Sequence, residues 1–446
     1  MFNTSLIQNK VEIYSYIGII FAMIALPIMS VIGNSLYAWI FLIAILAYMV
    51  INKIPGVSTI LIAIFLCMPQ SISVDSDISI YNQYFVFFYY AIFGLPLMIS
   101  AFYLLKNRSF PYRIALLIST VFLLLLLAYG ASPIDAITKI SCIHLAFYIG
   151  YNDKMDEQQF FKSISLIFII TAIYAILEYH FFVSPYSGLY LSSDYFTTIR
   201  TTKRAVGLLG NPLILTSFTL LYQAVLTSRL IKYGKIPVFL QLLCLYILLI
   251  VVSRTAFFAL IGYFIIYKYY SRNSIKSSTI FSVSLLLCLL IFFVGDVLID
   301  AAGDLVYRFN NANSTHRASS FEVTYNILSQ NPFGIGIHNV SDLLLQYSAV
   351  GKEDHIGTLD NFFLSQFAYF GIFGIFVIYN YLLYFFKSNI TERPYYDRVE
   401  LIVYIYAFLV CGFCFDFEAY NTITFVIYSM LGLMLWRQKN TLDFHS

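Results

Sequence analysis

Long apolar runs, separated by short polar segments, set the hydrophobic pattern of this chain. A run of about 17–25 apolar residues is long enough to cross a lipid bilayer as a helix. The pattern predicts fourteen such spans, at about 13–32, 35–52, 55–72, 82–105, 112–130, 134–151, 160–182, 206–227, 236–252, 255–270, 275–298, 359–386, 399–416 and 420–436. Because the runs are continuously apolar and do not alternate with polar residues, they favour a helical bundle over a strand barrel.

The composition supports the same interpretation. Of the 446 residues, 60% are hydrophobic and only 11% are charged, whereas a soluble domain carries about 25% charged residues. All six cysteines lie in apolar runs, and we interpret them, Cys411 and Cys414 included, as small buried side chains. The predicted fold is therefore an all-α polytopic membrane bundle of about 12–14 transmembrane helices.

The basic residues predict which side of the membrane each loop faces. If the N-terminus is cytoplasmic and the spans alternate, 18 of the 26 Lys and Arg residues fall in cytoplasmic loops, as the positive-inside rule requires. The first apolar run is of spanning length and lacks a small-residue cleavage site, so we expect no cleaved signal peptide. The sequence thus predicts a multi-pass protein with both termini in the cytoplasm.

The spans group the chain into four predicted segments. Residues 1–183 and 359–446 hold the N-terminal and C-terminal spans, and residues 184–299 hold further spans with a basic outer loop and the Ser-Arg motif. Residues 300–358 form one large loop on the outer side, and this loop is the longest polar stretch of the chain. A connection of this length usually carries function.

Two short helices are predicted in this outer loop. Ser319 and Glu322 have the spacing of a capping box, which predicts that the first helix begins there. The Asn-Pro pair at 331–332 ends that helix. A second amphipathic stretch follows at 341–351. We therefore expect a structured lid at the outer membrane face rather than a linker.

Several basic residues fall on the outer side, against the orientation bias. Arg204 precedes one span, Arg254 lies between two short spans, and Arg317 lies in the outer loop. Burying a charged side chain at the depth of the lipid bilayer is costly, and such a side chain usually faces a cavity or a partner. Guanidinium groups bind phosphate oxygens through paired hydrogen bonds, so three arginines round one cavity predict a pyrophosphate clamp, with Lys203 and Arg200 as weaker contributors. The alternative is that these residues neutralise outer carboxylates or bind lipid headgroups.

One carboxylate is a candidate general base. Asp360 lies at the mouth of the span at 359–386, where a partly buried carboxylate can accept the proton of a sugar hydroxyl. It can equally serve as the N-cap of that helix. Glu322 and His355 are weaker candidates for the same catalytic role, and His338 is a candidate binding residue in the loop.

Four short motifs, taken in order, resemble those of one family. They are R-A-V-G-L-L-G-N-P at 204–212, S-R-T-A at 253–256, an arginine-led helix that ends in N-P-F-G-I-G-I at 331–337, and D-N-F-F-L-S-Q-F-A-Y-F-G-I-F-G at 360–374. Together they resemble the superfamily of O-antigen ligases and O-antigen polymerases (Wzy) over about residues 200–380. The specificity of the resemblance lies in their order and spacing, because no single motif is distinctive.

The resemblance implies a GT-C-like bundle and a metal-independent glycosyltransferase that needs no cofactor. Such enzymes take a glycan from undecaprenyl pyrophosphate at the outer leaflet, and arginines that match Arg204, Arg254 and Arg317 hold the pyrophosphate. The ligases of this family carry His-Asn where this chain has Asp360 and Asn361. This departure lowers the expectation of a ligase, while Asn361 keeps its implied place among the substrate-binding residues.

The favoured function is a polysaccharide polymerase of the bacterial inner membrane, with its active site facing the periplasm. It would transfer the growing chain from undecaprenyl pyrophosphate to a new lipid-linked repeat unit. The alternatives are an O-antigen ligase that uses a lipid A core as acceptor, and a polysaccharide flippase or other transporter. Transporters usually have repeated halves, and no repeat is apparent in this sequence. The expected partners are the lipid-linked oligosaccharide, membrane lipid and a chain-length regulator, with no nucleic acid.

Overall fold

The computed structural model describes residues 13–32, 35–67, 120–181, 205, 207–209, 212–251, 254–271, 314–337, 344, 359, 361–386, 395–414 and 421–443. Every regular element within these ranges is an α-helix or a short π or 3-10 turn, which confirms the predicted all-α fold. Three of the described helices are long and apolar enough to cross a membrane, namely Glu157–Phe181, Pro212–Tyr233 and Phe362–Phe385.

The predicted spans coincide, in whole or in part, with described helices, apart from those at 82–105 and 275–298, which lie outside the described residues. The helices are α1 at 13–32 with a π turn at Phe21–Ala25, α2 Ser35–Ile51, α3 Val57–Leu66, α4 at 120–128, α5 at 133–152 with a π turn at Ser141–Leu145, α6 Glu157–Phe181, α7 Pro212–Tyr233, α8 Val238–Ile250, α9 Arg254–Tyr270, α10 Ser314–Gln330, α11 Phe362–Phe370, α12 Gly374–Phe386, α13 Tyr395–Cys414 and α14 Asn421–Asp443. A 3-10 turn at Gly371–Phe373 joins α11 to α12.

Two compact units make up the chain. The terminal unit comprises residues 1–167, 313–392 and 411–446, and the middle unit comprises residues 168–312 and 393–410. In the terminal unit, α5 and α14 cross at close range because small residues meet there. A Cβ added to Gly150 would collide with the carbonyl oxygen of Ser429, and one added to Gly432 would collide with that of Phe147. Small residues at such crossings are typical of helix packing in membranes.

A buried carboxylate fixes the start of α3 in the terminal unit. Asp153 accepts hydrogen bonds from the backbone N–H groups of Gly56 and Ser58, both at 2.7 Å, and from the Ser58 hydroxyl. These amides belong to the first turn, where a helix has no internal acceptors and where the helix dipole favours an anion. Burial raises the pKa of the Asp153 carboxyl, and the three hydrogen bonds oppose that shift. Through these hydrogen bonds, Asp153 links the loop that follows α5 to the first turn of α3.

The middle unit is built on α7. The ring of Tyr222 stacks on Phe168 of α6 with centroids 4.0 Å apart. From α9, the Tyr263 hydroxyl donates to the carbonyl oxygen of Leu220 at 2.8 Å. The Tyr406 hydroxyl of α13 in turn donates to Ala259 of α9 at 3.1 Å. Tyrosine hydroxyls thus link neighbouring helices of this unit through backbone carbonyls.

Large apolar side chains cover the outer faces of several helices. Tyr37 and Ile40 of α2 are 67% and 57% exposed, and Phe264 and Tyr269 of α9 are 56% and 79% exposed. A helix that is hydrophobic on all sides is expected in a membrane, where lipid covers the outward face. The protein is therefore an all-helical membrane protein. Of the six cysteines, Cys67, Cys142, Cys244 and Cys411 are buried free thiols as predicted; Cys288 and the side chain of Cys414 lie outside the described residues.

Candidate active site

The first helix of the outer loop, α10, begins earlier than the sequence predicts. It runs from Ser314 to Gln330, so Ser319 lies inside the helix and the predicted capping box at Ser319 and Glu322 is wrong. The Ser-x-x-Glu spacing also occurs within helices, and here the helix begins five residues before Ser319. The predicted end at Asn331 is confirmed.

One face of α10 is buried against α11 and the residue Leu359 before it. Val323 and Ile327 belong to a cluster with Leu344, Leu359 and Ala368, each of them at most 2% exposed. Leu344 is the one described residue of the predicted second loop helix, and it is helical. The outer loop is therefore a packed structure over the described part of its length.

Glu322 lies on the opposite face of α10. It is exposed, as are its neighbours Phe321 and Tyr325, at 60% and 72%. Arg317 lies in the first turn of the helix, where the dipole favours an anionic ligand. The side chain of Arg317 lies outside the described residues.

Asn361 is the N-cap of α11. Its side-chain oxygen accepts from the Leu364 N–H at 3.1 Å, and its amide nitrogen donates to the carbonyl of Phe413 at 3.2 Å. Asp360 is thus not the cap, and the structural alternative that the sequence left open for this carboxylate is wrong. Both residue types are good caps, so sequence alone does not choose between them. Asp360 itself lies outside the described residues.

Two glycine-containing segments, 331–337 and 368–372, join α10 to the break between α11 and α12. We call this pair the glycine clasp. Its backbone hydrogen bonds run from Ile335 N to Ala368 O at 3.0 Å, from Gly336 N to Tyr369 O at 2.9 Å, and from Ile372 N to Pro332 O at 2.9 Å. The N-P-F-G-I-G-I motif and the F-G-I-F-G end of the last motif therefore bind each other directly.

Glycine is required on both sides of the clasp. Gly334 has φ +83° and Gly371 has φ +56°, a region that side chains disfavour. A Cβ on Gly334 would collide with the Tyr369 carbonyl, and a Cβ on Gly371 would collide with the carbonyl of Pro332. The two backbones approach as closely as they do because neither residue carries a side chain.

Tyr129 extends the clasp to the end of α4. The Ile337 N–H donates to the Tyr129 carbonyl at 2.8 Å, and the Tyr129 hydroxyl lies 3.4 Å from the carbonyl of Phe370. The rings of Tyr129 and Phe370 are 5.1 Å apart. These contacts fix the segment that leads towards His338, which lies outside the described residues.

In the middle unit, the residue after Arg204 contacts the end of α8, the helix that precedes Arg254. The Ala205 N–H donates to the carbonyl of Ile250, at the C-terminal end of α8, at 3.1 Å. Ala205 is the residue after Arg204, and α9 begins with Arg254 only four residues beyond Ile250. Ala205 of the R-A-V-G motif is therefore bound to the end of the helix that precedes the S-R-T-A motif. The side chain of Arg254 lies outside the described residues, as do Arg200, Lys203 and Arg204.

Sequence reasoning missed Glu178 of α6, a buried residue whose carboxylate accepts from the Gly207 N–H at 2.5 Å. The available signal was a lone carboxylate inside an apolar run, which usually marks function in a membrane helix.

His355 lies outside the described residues, so its predicted role remains a prediction.

The helices, with their apolar outer faces, define an all-helical membrane protein. Residues 239–379 match the family model described as O-antigen ligase, and this match supports the resemblance to the O-antigen ligase and polymerase superfamily. The match covers about a third of the chain; it contains Arg254, Arg317, Asp360 and Asn361 but not Arg204. No curated protein matches the chain. The match supports a function of the O-antigen ligase or polymerase type.

Proposed function

We propose that the protein is a repeat-unit polymerase, a metal-independent glycosyltransferase of the bacterial inner membrane. It takes a growing glycan from undecaprenyl pyrophosphate and attaches it to a new lipid-linked repeat unit on the periplasmic side. The observation that carries the proposal is the O-antigen ligase family match over 239–379. Within that region, the presence of Asp360 before Asn361, where the family's ligases carry a histidine, favours polymerisation over ligation.

The reaction makes one bond and breaks one. A hydroxyl oxygen of the acceptor sugar attacks the anomeric carbon, the bond from that carbon to the pyrophosphate oxygen breaks, and undecaprenyl pyrophosphate leaves with the electron pair. The hydroxyl proton passes to a general base, which we assign to Asp360, with Glu322 and His355 as the other candidates. Since Asn361 serves as the helix cap, the Asp360 carboxylate is not needed for that purpose.

Fixed positive charge is the main requirement of such a reaction. Pyrophosphate is already a good leaving group, so the enzyme chiefly stabilises the negative charge that grows on it, and pre-organised arginines do this without a metal ion. We assign this role to Arg204, Arg254 and Arg317, because guanidinium groups bind phosphate oxygens in pairs. Arg200, Lys203, His338 and Asn361 are assigned to binding of the glycan or the pyrophosphate.

Arg254→Ala tests this assignment in cells that depend on the protein for their surface polysaccharide. A polymerase without its clamp should leave single repeat units attached to the final acceptor and no long chains. The matched control is Arg229→Ala, since Arg229 lies in the same unit over the ring of Tyr233, 5.0 Å from its centroid, and should not affect chain length. Normal long chains in the Arg254 variant would show that the clamp assignment is wrong.

The same experiment separates the alternatives. Loss of a ligase would leave the lipid A core with no repeat units at all, instead of with one. Loss of a flippase would keep lipid-linked units on the cytoplasmic leaflet. We further propose that the protein works with a chain-length regulator, because polymerisation by itself sets no final length.

A further inference from the structure

Glu178 is a buried carboxylate to which the proposed reaction gives no role. It lies near the C-terminal end of α6 and is only 5% exposed. Ionisable side chains inside membrane helices are costly to bury, and they are usually retained for a function. The question is which part of the molecule this carboxylate holds.

Its partner is the backbone that follows Arg204. Glu178 Oε2 accepts the N–H of Gly207 at 2.5 Å. Gly207 has φ +61°, so the chain turns sharply at the point where the carboxylate holds it. The fixed turn continues as the 3-10 turn Gly207–Leu209, which is fully buried.

A second bond fixes the same segment from another helix. The Ala205 N–H donates to Ile250 at the end of α8, so two N–H groups two residues apart are held by α6 and α8. The two helices are themselves linked, because His180 Nε2 lies 2.5 Å from the Tyr246 hydroxyl. Arg204 is the residue directly before Ala205 in the chain.

We propose that Glu178 is a positioning residue that holds the turn after Arg204, so that the Arg204 guanidinium meets the donor's pyrophosphate. The inference rests on the proposed function. Glu178 does not touch the reacting atoms, since its carboxylate is buried and bound to a backbone amide. Its contribution is a fixed backbone for the cation, so that less ordering is needed when the donor's already charged pyrophosphate binds.

The test compares Glu178→Ala with Glu178→Gln in the purified full-length protein. The glutamine side-chain oxygen can still accept the Gly207 N–H, whereas alanine cannot. Without this acceptor the turn is no longer held, and a binding-competent conformation that is populated about a tenth of the time weakens the apparent affinity about tenfold. Glu178→Ala should therefore raise KM for the lipid-linked repeat unit by about tenfold with kcat within about twofold. Inhibition by inorganic pyrophosphate should weaken by a similar factor. Glu178→Gln should stay within about threefold of the wild type in both measurements.

Thr219→Val is the matched control for loss of a buried hydrogen bond. Thr219 is fully buried in the same unit, and its hydroxyl bonds only within its own helix, to Leu215 at 2.7 Å. This variant should lower the thermal midpoint in detergent without a change in KM or in pyrophosphate inhibition. If Glu178→Ala changes the midpoint alone, as Thr219→Val does, the positioning role is overturned.

Two further outcomes separate this inference from the function on which it rests. If wild-type protein elongates repeat units but Glu178→Ala has an unchanged KM, the inference fails and the polymerase proposal stands. If neither elongation nor pyrophosphate inhibition is observed with wild-type protein, the proposed function itself fails. If Glu178→Gln is as impaired as Glu178→Ala, acceptance of the Gly207 N–H by a side-chain oxygen is not the basis of the effect, and the positioning role is overturned.

Discussion

The glycine clasp of the terminal unit and the turn at Ala205 and Gly207–Leu209 of the middle unit, which we call the Arg204 turn, are held in two different ways. In the clasp, two backbone segments bind each other through N–H to C=O hydrogen bonds, and glycines allow the close approach. In the Arg204 turn, one backbone N–H is held by a side chain, the Glu178 carboxylate, which comes from a helix 29 residues earlier. The clasp is held by backbone groups on both sides, whereas the turn is held by one backbone acceptor, at Ile250, and one side-chain acceptor, at Glu178.

This difference determines what a substitution can do. Backbone contacts tolerate most side-chain changes but fail when a glycine gains a Cβ, because the collision involves atoms that cannot rotate away. A side-chain contact fails when the acceptor is removed and survives when an isosteric acceptor replaces it. The clasp should therefore be sensitive to side-chain volume added at its glycines. The Arg204 turn should be sensitive to loss of the hydrogen-bond acceptor at Glu178.

The largest effect is expected for Gly371→Ala. The new Cβ must relieve its collision with the Pro332 carbonyl and also adopt a positive φ, which together cost about 3 kcal/mol or more. The variant should lose much of its stability to heat and SDS in detergent, and polymer formation should fall with it. Gly234→Ala is the control, since Gly234 has φ +68° with nothing within 4 Å of the added Cβ, and it should cost only about 1 kcal/mol. Equal losses for the two variants would contradict the clasp.

A smaller effect is expected for Asn361→Ala, which removes the N-cap of α11. Loss of a cap costs about 1 kcal/mol, and the hydrogen bond to Phe413 is lost as well. Asn361→Asp keeps the capping oxygen and should be the milder change. Thermal unfolding of both variants checks the order, and an alanine variant as stable as wild type would remove Asn361 from its capping role.

The smallest effect is expected for Gly207→Ala in the Arg204 turn. The added Cβ would meet Ala175 at an ordinary contact distance of 3.4 Å, so the cost comes from the positive φ alone and is about 1 kcal/mol. Gly207→Asn should cost less, because asparagine tolerates this conformation better. Thermal midpoints of the two variants measure the difference. A loss as large as that of Gly371→Ala would show that the turn is as tightly packed as the clasp.

The sequence alone predicted those parts of the fold that depend on local sequence patterns. The apolar runs predicted the helices, and the Asn-Pro pair predicted the end of α10. The capping box at Ser319 failed because a spacing that starts some helices also occurs inside others. The choice between Asp360 and Asn361 as cap needed geometry, since either side chain has the required oxygen.

The clasp and the Glu178 contact were not predictable for a different reason. The glycines at 334 and 371 marked turns, but nothing local to either turn names the other as its partner. Glu178 stands alone in an apolar run, and its acceptor role depends on a backbone amide that the sequence does not distinguish from any other. Pairings of this kind arise from tertiary packing and not from local propensity.

The most direct test of the account is elongation by the purified protein given only lipid-linked repeat units, with Asp360→Asn measured alongside. The account predicts that wild-type protein forms a ladder of longer lipid-linked chains without a lipid A core or an added metal ion, and that Asp360→Asn, which cannot accept the hydroxyl proton, loses nearly all of this activity while folding normally. Elongation at the wild-type rate by Asp360→Asn would contradict the assigned base. Transfer only after addition of a lipid A core would contradict the polymerase itself.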